Sequence, residues 1–278
     1  MRITKEKIAS FEKHLLHEEK ASSTIEKYVR DVSVFVQWLE NKILNKERVL
    51  QYKDFLCGRF SPSSVNSVLS SLNSFFHFCD WHELKVKALK VQRQIFLMEE
   101  KEITKAEYER LLFTAKEKNN ERLYLLMSTI CSTGIRVSEL RFITVEAVHK
   151  GHAEIRCKGK CRTVFLPNVL CKMLERYLRK QKRKSGPIFI TKNGNPLDRS
   201  NIWSDMKKLC KNAGVSEKKV FPHNLRHLFA RTFYTIQKDI VRLADILGHS
   251  NINTTRIYTA ESGEIHRRQI QHLGLLRC

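Results

Sequence analysis

Residues 247–258 read Leu-Gly-His-Ser-Asn-Ile-Asn-Thr-Thr-Arg-Ile-Tyr and carry the most informative pattern in this chain. They place a histidine, His249, nine residues before a tyrosine, Tyr258. Two upstream segments belong with them: residues 222–227 read Pro-His-Asn-Leu-Arg-His, and residues 133–140 read Thr-Gly-Ile-Arg-Val-Ser-Glu-Leu. Among their residues, Arg136 and Arg226, the histidines and the late tyrosine are of the types that a common site would need.

These residue types fit the attack of a phenol on a phosphodiester. A guanidinium is permanently charged and binds oxygens in pairs, so Arg136 and Arg226 could stabilise the charge that gathers on a phosphorus centre under attack. Arg226 lies three residues after His223, which puts both side chains on one helical face. His223 and His249 could donate hydrogen bonds to the phosphate, and His223 could also accept a proton. Tyr258 would be the nucleophile, and its pKa of about 10 would require an activated phosphate and a nearby base.

The three segments closely resemble the signature of the tyrosine recombinases, the phage-integrase and Xer type of DNA breaking and rejoining enzyme. The resemblance continues upstream, where Ser23-Thr24-Ile25 and the later Tyr28, Asp31-Val32, Phe35 and Trp38-Leu39 look like the SAM-like core-binding domain of these enzymes. It implies a mainly α fold with a small β-sheet, in which a helical core-binding domain and a catalytic domain form a C-shaped clamp around DNA. The chain looks closer to compact Xer and transposon-type members than to lambda-type integrases.

The resemblance also implies a role for each site residue. Tyr258 would attack the scissile phosphate to form a 3′-phosphotyrosyl link, and Lys158 would protonate the 5′ leaving oxygen. A 5′-hydroxyl from a partner duplex would then reverse the step, with no metal and no cofactor. Glu139 would support Arg136, although an ordinary ion pair within a helix is an equal alternative. The implied catalytic set is Arg136, Lys158, His223, Arg226, His249 and Tyr258.

The hairpin that would carry the general acid departs from the usual pattern. Its predicted arms lie near Ala153–Arg156 and Arg162–Leu166, with a turn at residues 158–160. Lys158 matches the family best because a glycine follows it, but the turn is one residue shorter than usual, which leaves Lys160 as a rival. A plain basic hairpin that grips phosphates is the other interpretation.

Two pairs of residues have the spacing of metal ligands. His223 and His227 are four residues apart, but no glutamate directly follows His223 as it does in His-Glu-x-x-His. Cys157 and Cys161 flank the predicted hairpin turn, and the sequence does not supply two further ligands. None of the 8 cysteines forms a Cys-x-x-Cys pair, which favours a reduced, intracellular protein. We therefore expect no metal.

The charge of the chain favours nucleic acid as its partner. The formal net charge is +22 over 278 residues, well beyond what solubility requires. Residues 1–92 hold 15 basic and 11 acidic side chains, so most of the excess lies in the remainder, together with the site segments. The sequence has neither an apolar run of membrane-spanning length nor a signal peptide, so we expect a cytoplasmic protein that binds double-stranded DNA and no membrane.

Periodicity divides the chain into two helical parts. Residues 1–92 predict four helices in a small bundle, which would be the core-binding domain. Residues 93–102 lose the periodicity and predict a linker. Residues 103–278 predict the catalytic domain: helices near Lys105–Lys116 and Glu121–Ser132, short strands between residues 143 and 166, and helices thereafter.

Several functional alternatives remain at this point. Strand exchange between two duplexes implies a tetramer on DNA, and the apolar tail from Ile265 to Leu276 could dock on a neighbouring copy or on its own domain. A type IB topoisomerase-like enzyme would share the chemistry but relax DNA as a monomer. A catalytically silent DNA-binding accessory protein is the alternative from another class. The sequence predicts neither the target site nor a partner recombinase.

Overall fold

The computed structural model describes residues 2–40, 42–91, 99–157, 160–191, 193–258 and 270–273. The chain divides into two compact units, Met1–Arg93 and Gln94–Cys278. The described residues are mostly helical and contain one two-stranded sheet, which confirms the predicted mainly α fold with a small β component. The predicted linker and domain boundaries, and the predicted clamp, stay predictions. Among the described residues, no helix combines the length and apolarity needed to span a membrane.

The first unit is a bundle built on an aromatic core. Fully buried rings of Phe11, Phe35 and Phe75 meet there, with Phe11 edge-on to Phe75 at 5.2 Å between centroids. The four predicted helices are present, and Ser61 caps the last of them with Pro62 in its first turn, where a missing N–H costs nothing. These helices are α1 (Lys5–His17), α2 (Ser22–Leu39), α3 (Lys46–Cys57) and α4 (Pro62–Phe78).

The second unit is arranged around one apolar helix. Helix α6 (Glu121–Thr133) buries side chains around most of its circumference, as its sequence predicts, and it packs against α5 (Lys105–Glu117) and three later helices. Those later helices are α8 (Asn168–Lys180), α9 (Arg199–Ala213) and α10 (Pro222–Gln237). Two short helices, α11 (Ile240–Leu247) and α12 (Ile252–Thr255), follow α10.

The predicted hairpin is present, but the strand prediction before it is wrong. Residues Val145–Lys150 form a short helix, α7, which Thr144 caps at its start and Gly151 ends with φ +73°. Six residues are too few for a helical period to show in the sequence. The hairpin itself pairs β1 (His152–Cys157) with β2 (Lys160–Phe165) in antiparallel register.

Glycines at two helix ends bring the site segments together. Gly134 ends α6 and Gly248 ends α11, both in the left-handed conformation that glycine adopts without strain. A Cβ at Gly134 would lie 2.4 Å from a ring carbon of Phe229 on α10. The end of α6 therefore approaches α10 more closely than any other residue type would allow.

We predict that Gly134→Ala destabilises the protein more than Gly151→Ala does. Both glycines end a helix at positive φ, at +64° and +73°, but a Cβ at Gly151 meets nothing within 4 Å. Urea unfolding of the full chain should show a loss of about 1 kcal/mol for Gly151→Ala, from backbone strain alone. Gly134→Ala should lose about 2–4 kcal/mol, because overpacking adds to that strain. Equal losses would contradict the close packing of α6 on α10.

Candidate active site

The guanidinium of Arg226 is the most buried charged group of the candidate site. The residue is 1% exposed and lies in the second turn of α10. It donates hydrogen bonds to the backbone carbonyl oxygens of Gly134 and Leu247, the latter at 2.8 Å. Its Nη2 also lies 3.1 Å from Nε2 of His249. Arg226 therefore joins the three segments that the sequence singles out.

His249 is held between Arg226 and a threonine. Because a guanidinium can only donate, Nε2 of His249 accepts from Arg226, and the ring proton sits on Nδ1. Nδ1 lies 2.9 Å from Oγ1 of Thr255, which accepts that proton. Burial, followed by the positive charges of Arg226 and Arg136, lowers the pKa of His249 to about 4. The histidine is therefore neutral at physiological pH while no anion is bound.

Arg136 and Glu139 form an ion pair, and a second arginine binds the same carboxylate. Glu139 is buried and accepts hydrogen bonds from the backbone N–H of Arg136 at 2.9 Å and from its Nη1 at 3.0 Å. Nη2 of Arg162, in β2, donates at 2.6 Å to Oε2 of the same carboxylate, the oxygen that also accepts from the backbone N–H of Arg136. Burial favours the neutral acid, but these donors and charges outweigh it and lower the pKa of Glu139. Glu139 is thus an ionised group that holds two arginines in place.

Arg162 also fixes the hairpin to the end of α11. It donates to the backbone carbonyl oxygen of Ile246, and its side chain passes directly over Gly248. A Cβ at Gly248 would lie 2.5 Å from Cδ of Arg162, so the glycine is needed for this approach as well as for its φ of +65°. The arginine therefore connects the hairpin, the segment around Glu139 and the Leu-Gly-His segment.

Tyr258 lies at the end of a short 3-10 helix, Arg256–Tyr258, and is 4% exposed. Its ring stacks on His249 with 6.2 Å between centroids and meets His227 edge-to-face at 5.0 Å. Burial raises the pKa of the Tyr258 hydroxyl, and the neighbouring charge of Arg226 only partly offsets this. The phenol is therefore protonated at neutral pH and needs a proton acceptor before it can attack.

His223 and His227 occupy successive turns of α10 on the same side as Arg226. Their rings lie 4.4 Å apart between centroids. His223 is exposed at the surface of the site, yet partial burial, His227 and Arg226 lower its pKa. Nδ1 of His227 lies 3.1 Å from Oε1 of Glu102, a residue that precedes α5. Within the described residues, no three His, Cys, Asp or Glu side chains are placed to share a metal ion.

Five of the six predicted catalytic residues thus fall in one region of the second unit. Arg226 contacts His249, Tyr258 contacts His249 and His227, and His227 contacts His223. Arg136 lies close enough for its charge to add to burial in lowering the pKa values of Arg226 and His249. Lys158 lies outside the described residues. Lys160 lies at the start of β2, so the choice between these two lysines as the acid stays a prediction.

Sequence reasoning missed Arg162, Glu102 and Thr255. Arg162 had a local signal, since it pairs with the buried Ile155 and lies two residues before the buried Val164, on the inward face of the hairpin. Glu102 is 125 residues from its partner His227, and no local pattern could reveal that contact.

Comparison with known proteins identifies the family of this chain. The phage integrase family matches residues 101–264, and the N-terminal SAM-like domain of phage integrases matches residues 8–83. The tyrosine recombinase XerA of Thermococcus kodakarensis is 31% identical over 282 aligned residues, which cover 98% of this chain and 96% of that protein. XerA of Pyrococcus furiosus is 29% identical over 282 aligned residues, covering 98% and 95%.

Solved structures share the fold. The XerH site-specific recombinase bound to its difH substrate in a pre-cleavage complex superimposes with a TM-score of 0.71 at 20% identity, covering 95% of this chain and 84% of that chain. A lambda integrase tetramer bound to a Holliday junction gives a TM-score of 0.73 at 17% identity, covering 91% and 76%. The chain therefore belongs to the phage integrase family and is a tyrosine recombinase, an enzyme that breaks and rejoins DNA at specific sites.

Proposed function

We propose that this chain cuts DNA by attack of Tyr258 on a scissile phosphate bound by Arg136 and Arg226. The observation that carries the proposal is the burial of the Tyr258 ring against His249, which itself bonds to Arg226. An ordinary packed or surface tyrosine would not need two arginines and two histidines around its ring. Tyr258 has the surroundings that a phenol nucleophile requires.

The arginines supply two kinds of phosphate donor. Arg136 keeps 40% of its side chain exposed, so its guanidinium can meet a phosphate at the surface while Glu139 fixes its position. Arg226 is buried, and its Nε–H has no partner among the described residues, so one donor remains for an oxygen that enters the site. Donors fixed before the substrate arrives stabilise the pentacoordinate transition state without the cost of reorganising.

The histidines complete the proposed phosphate site. His223 is exposed beside Arg226, where it can donate to a second phosphate oxygen. His249 is neutral without DNA because burial and its positive neighbours oppose its protonation, and the negative charge of a bound phosphate would offset those charges. The attack breaks the bond from phosphorus to the 5′ oxygen, and we propose Lys158 as the donor of the proton that the leaving oxygen takes up.

We further propose that cleavage serves strand exchange within a tetramer on two DNA duplexes. The lambda integrase with the same fold is a tetramer on a Holliday junction. Apolar Ile270 and Leu273, in the part of the tail that the structure describes, are 67% and 60% exposed and would fit docking on a neighbour. Each exchanged phosphotyrosyl link keeps the energy of the bond it replaces, so rejoining needs no ATP. A cytoplasmic location is part of this proposal because the proposed substrate is DNA.

A covalent adduct tests the proposed cleavage directly. Duplexes of randomised sequence, nicked to prevent rejoining, should yield adducts with the wild-type chain that survive denaturation. Sequencing the attached DNA would give the target site. Tyr258→Phe should bind the recovered duplex about as well as wild type and form no adduct, because it loses only the hydroxyl. Adducts in that variant would assign the nucleophile elsewhere, and relaxation without pairing of two duplexes would favour a topoisomerase-like activity.

We predict that replacing the two arginines slows adduct formation in both cases but lowers stability markedly in only one. Arg136→Ala and Arg226→Ala should each lower the rate of adduct formation by about 10²-fold or more, because each removes charge stabilisation of the transition state. Only Arg226→Ala should also lower the free energy of unfolding markedly, by about 3 kcal/mol, because it leaves two buried carbonyl oxygens and His249 without their donor. Equal thermal stability of the two variants would contradict the central position of Arg226.

A further inference from the structure

Glu102 is held against α10 by backbone contacts on both sides of it. Asn224 donates from its side-chain amide to the carbonyl oxygen of Lys101 at 2.7 Å, and Nη2 of Arg231 donates to that of Ile103 at 2.8 Å. The Glu102 carboxylate lies between these two points, 3.1 Å from Nδ1 of His227 and 3.5 Å from Nη2 of Arg231. Its place beside His227 is therefore determined by the surrounding structure.

This contact decides which nitrogen of His227 carries the proton. Burial of Glu102 is outweighed by the hydrogen bond to His227 and by the charges around it, so its pKa is lowered and it is ionised. An ionised carboxylate only accepts, so Nδ1 of His227 must carry the hydrogen. In the neutral form of the ring, Nε2 is then a bare lone pair. It is buried, and it has no hydrogen-bond partner within the described residues.

The unpartnered nitrogen belongs to a ring that touches the candidate nucleophile. His227 meets the Tyr258 ring edge-to-face at 5.0 Å between centroids, and both side chains are largely buried. A bare lone pair cannot bind a phosphate oxygen, because both groups are acceptors. Of the titratable and charged groups around it, Glu102, Arg231, His223 and Tyr258, the phenol of Tyr258 is the donor whose proton the reaction must remove.

We infer that His227, oriented by Glu102, accepts the phenolic proton of Tyr258. The inference rests on the proposed function, and it assigns the base to His227 in place of His223. The Tyr258 oxygen bonds to phosphorus as the bond from phosphorus to the 5′ oxygen breaks, and the phenolic proton passes to Nε2 of His227. The imidazolium that forms is stabilised by the Glu102 carboxylate. On rejoining, His227 returns the proton to Tyr258. Glu102 is a positioning residue, since it acts through His227.

The test combines a variant of the base with a more acidic nucleophile. The rate of adduct formation is measured in single turnover on the duplex recovered with the wild-type chain. His227→Gln, Glu102→Gln and the control His223→Gln are each made with tyrosine or 3,5-difluorotyrosine at position 258. A fluorinated phenol ionises more readily and needs a base less. We expect His227→Gln to lower the rate of adduct formation by about 10²–10⁴-fold. In that variant, 3,5-difluorotyrosine at position 258 should raise the rate by about tenfold or more over tyrosine.

Glu102→Gln keeps an acceptor for Nδ1 but removes the charge that stabilises the imidazolium, so we expect a smaller loss, also restored by fluorination. It carries the test if His227→Gln does not fold. His223→Gln should not be restored, because a donor to the phosphate is not replaced by a more acidic phenol.

Three results would overturn the inference. They are wild-type rates in His227→Gln and Glu102→Gln, losses in both that fluorination leaves unchanged, and restoration in His223→Gln alone. Failure of the proposed function looks different, because the wild-type chain itself would then form no adduct at Tyr258.

Discussion

The site depends on how the protein keeps the Arg226 guanidinium charged while burying it. Removing an ion from water costs several kcal/mol unless polar or charged groups replace the water, and a carboxylate is one such replacement. Here the replacements are the carbonyl oxygens of Gly134 and Leu247, at the C-terminal ends of α6 and α11. Helix C-terminal carbonyls lack partners within their helix and carry partial negative charge. Burial lowers the pKa of Arg226 to about 10, so it remains charged at neutral pH.

Solvation by carbonyl dipoles leaves the charge of Arg226 available to a ligand. A carboxylate at the same place would neutralise the guanidinium and repel a phosphate. The buried carboxylate of Glu139 is shared by Arg136 and Arg162, so these three side chains also keep a surplus of positive charge. Burial, together with this surplus, keeps His249 neutral until an anion binds. A single design therefore explains the stability of the site and its expected affinity for phosphate.

The sequence predicted the parts of the site that lie in short segments. His223 and Arg226 share a helical face, and Gly248, His249 and Tyr258 share one turn-rich stretch, so spacing alone relates them. Periodicity likewise predicted the bundle and the central position of α6. Periodicity could not reveal α7, which is too short, and no local pattern reveals partners as distant as Glu102 and His227. The role inferred for His227 therefore depends on contacts that only the fold shows.

The central claim is that Tyr258, activated in the pocket that Arg226 organises, is the residue that joins to DNA. Mass spectrometry of the trapped adduct, after digestion by nuclease and trypsin, tests it most directly. Cleavage after Arg256 releases a peptide that spans residues 257–267. The account predicts that this peptide carries the added nucleotide and that fragment ions place the phosphate on Tyr258. A nucleotide on any other residue, with the 257–267 peptide unmodified, would contradict it.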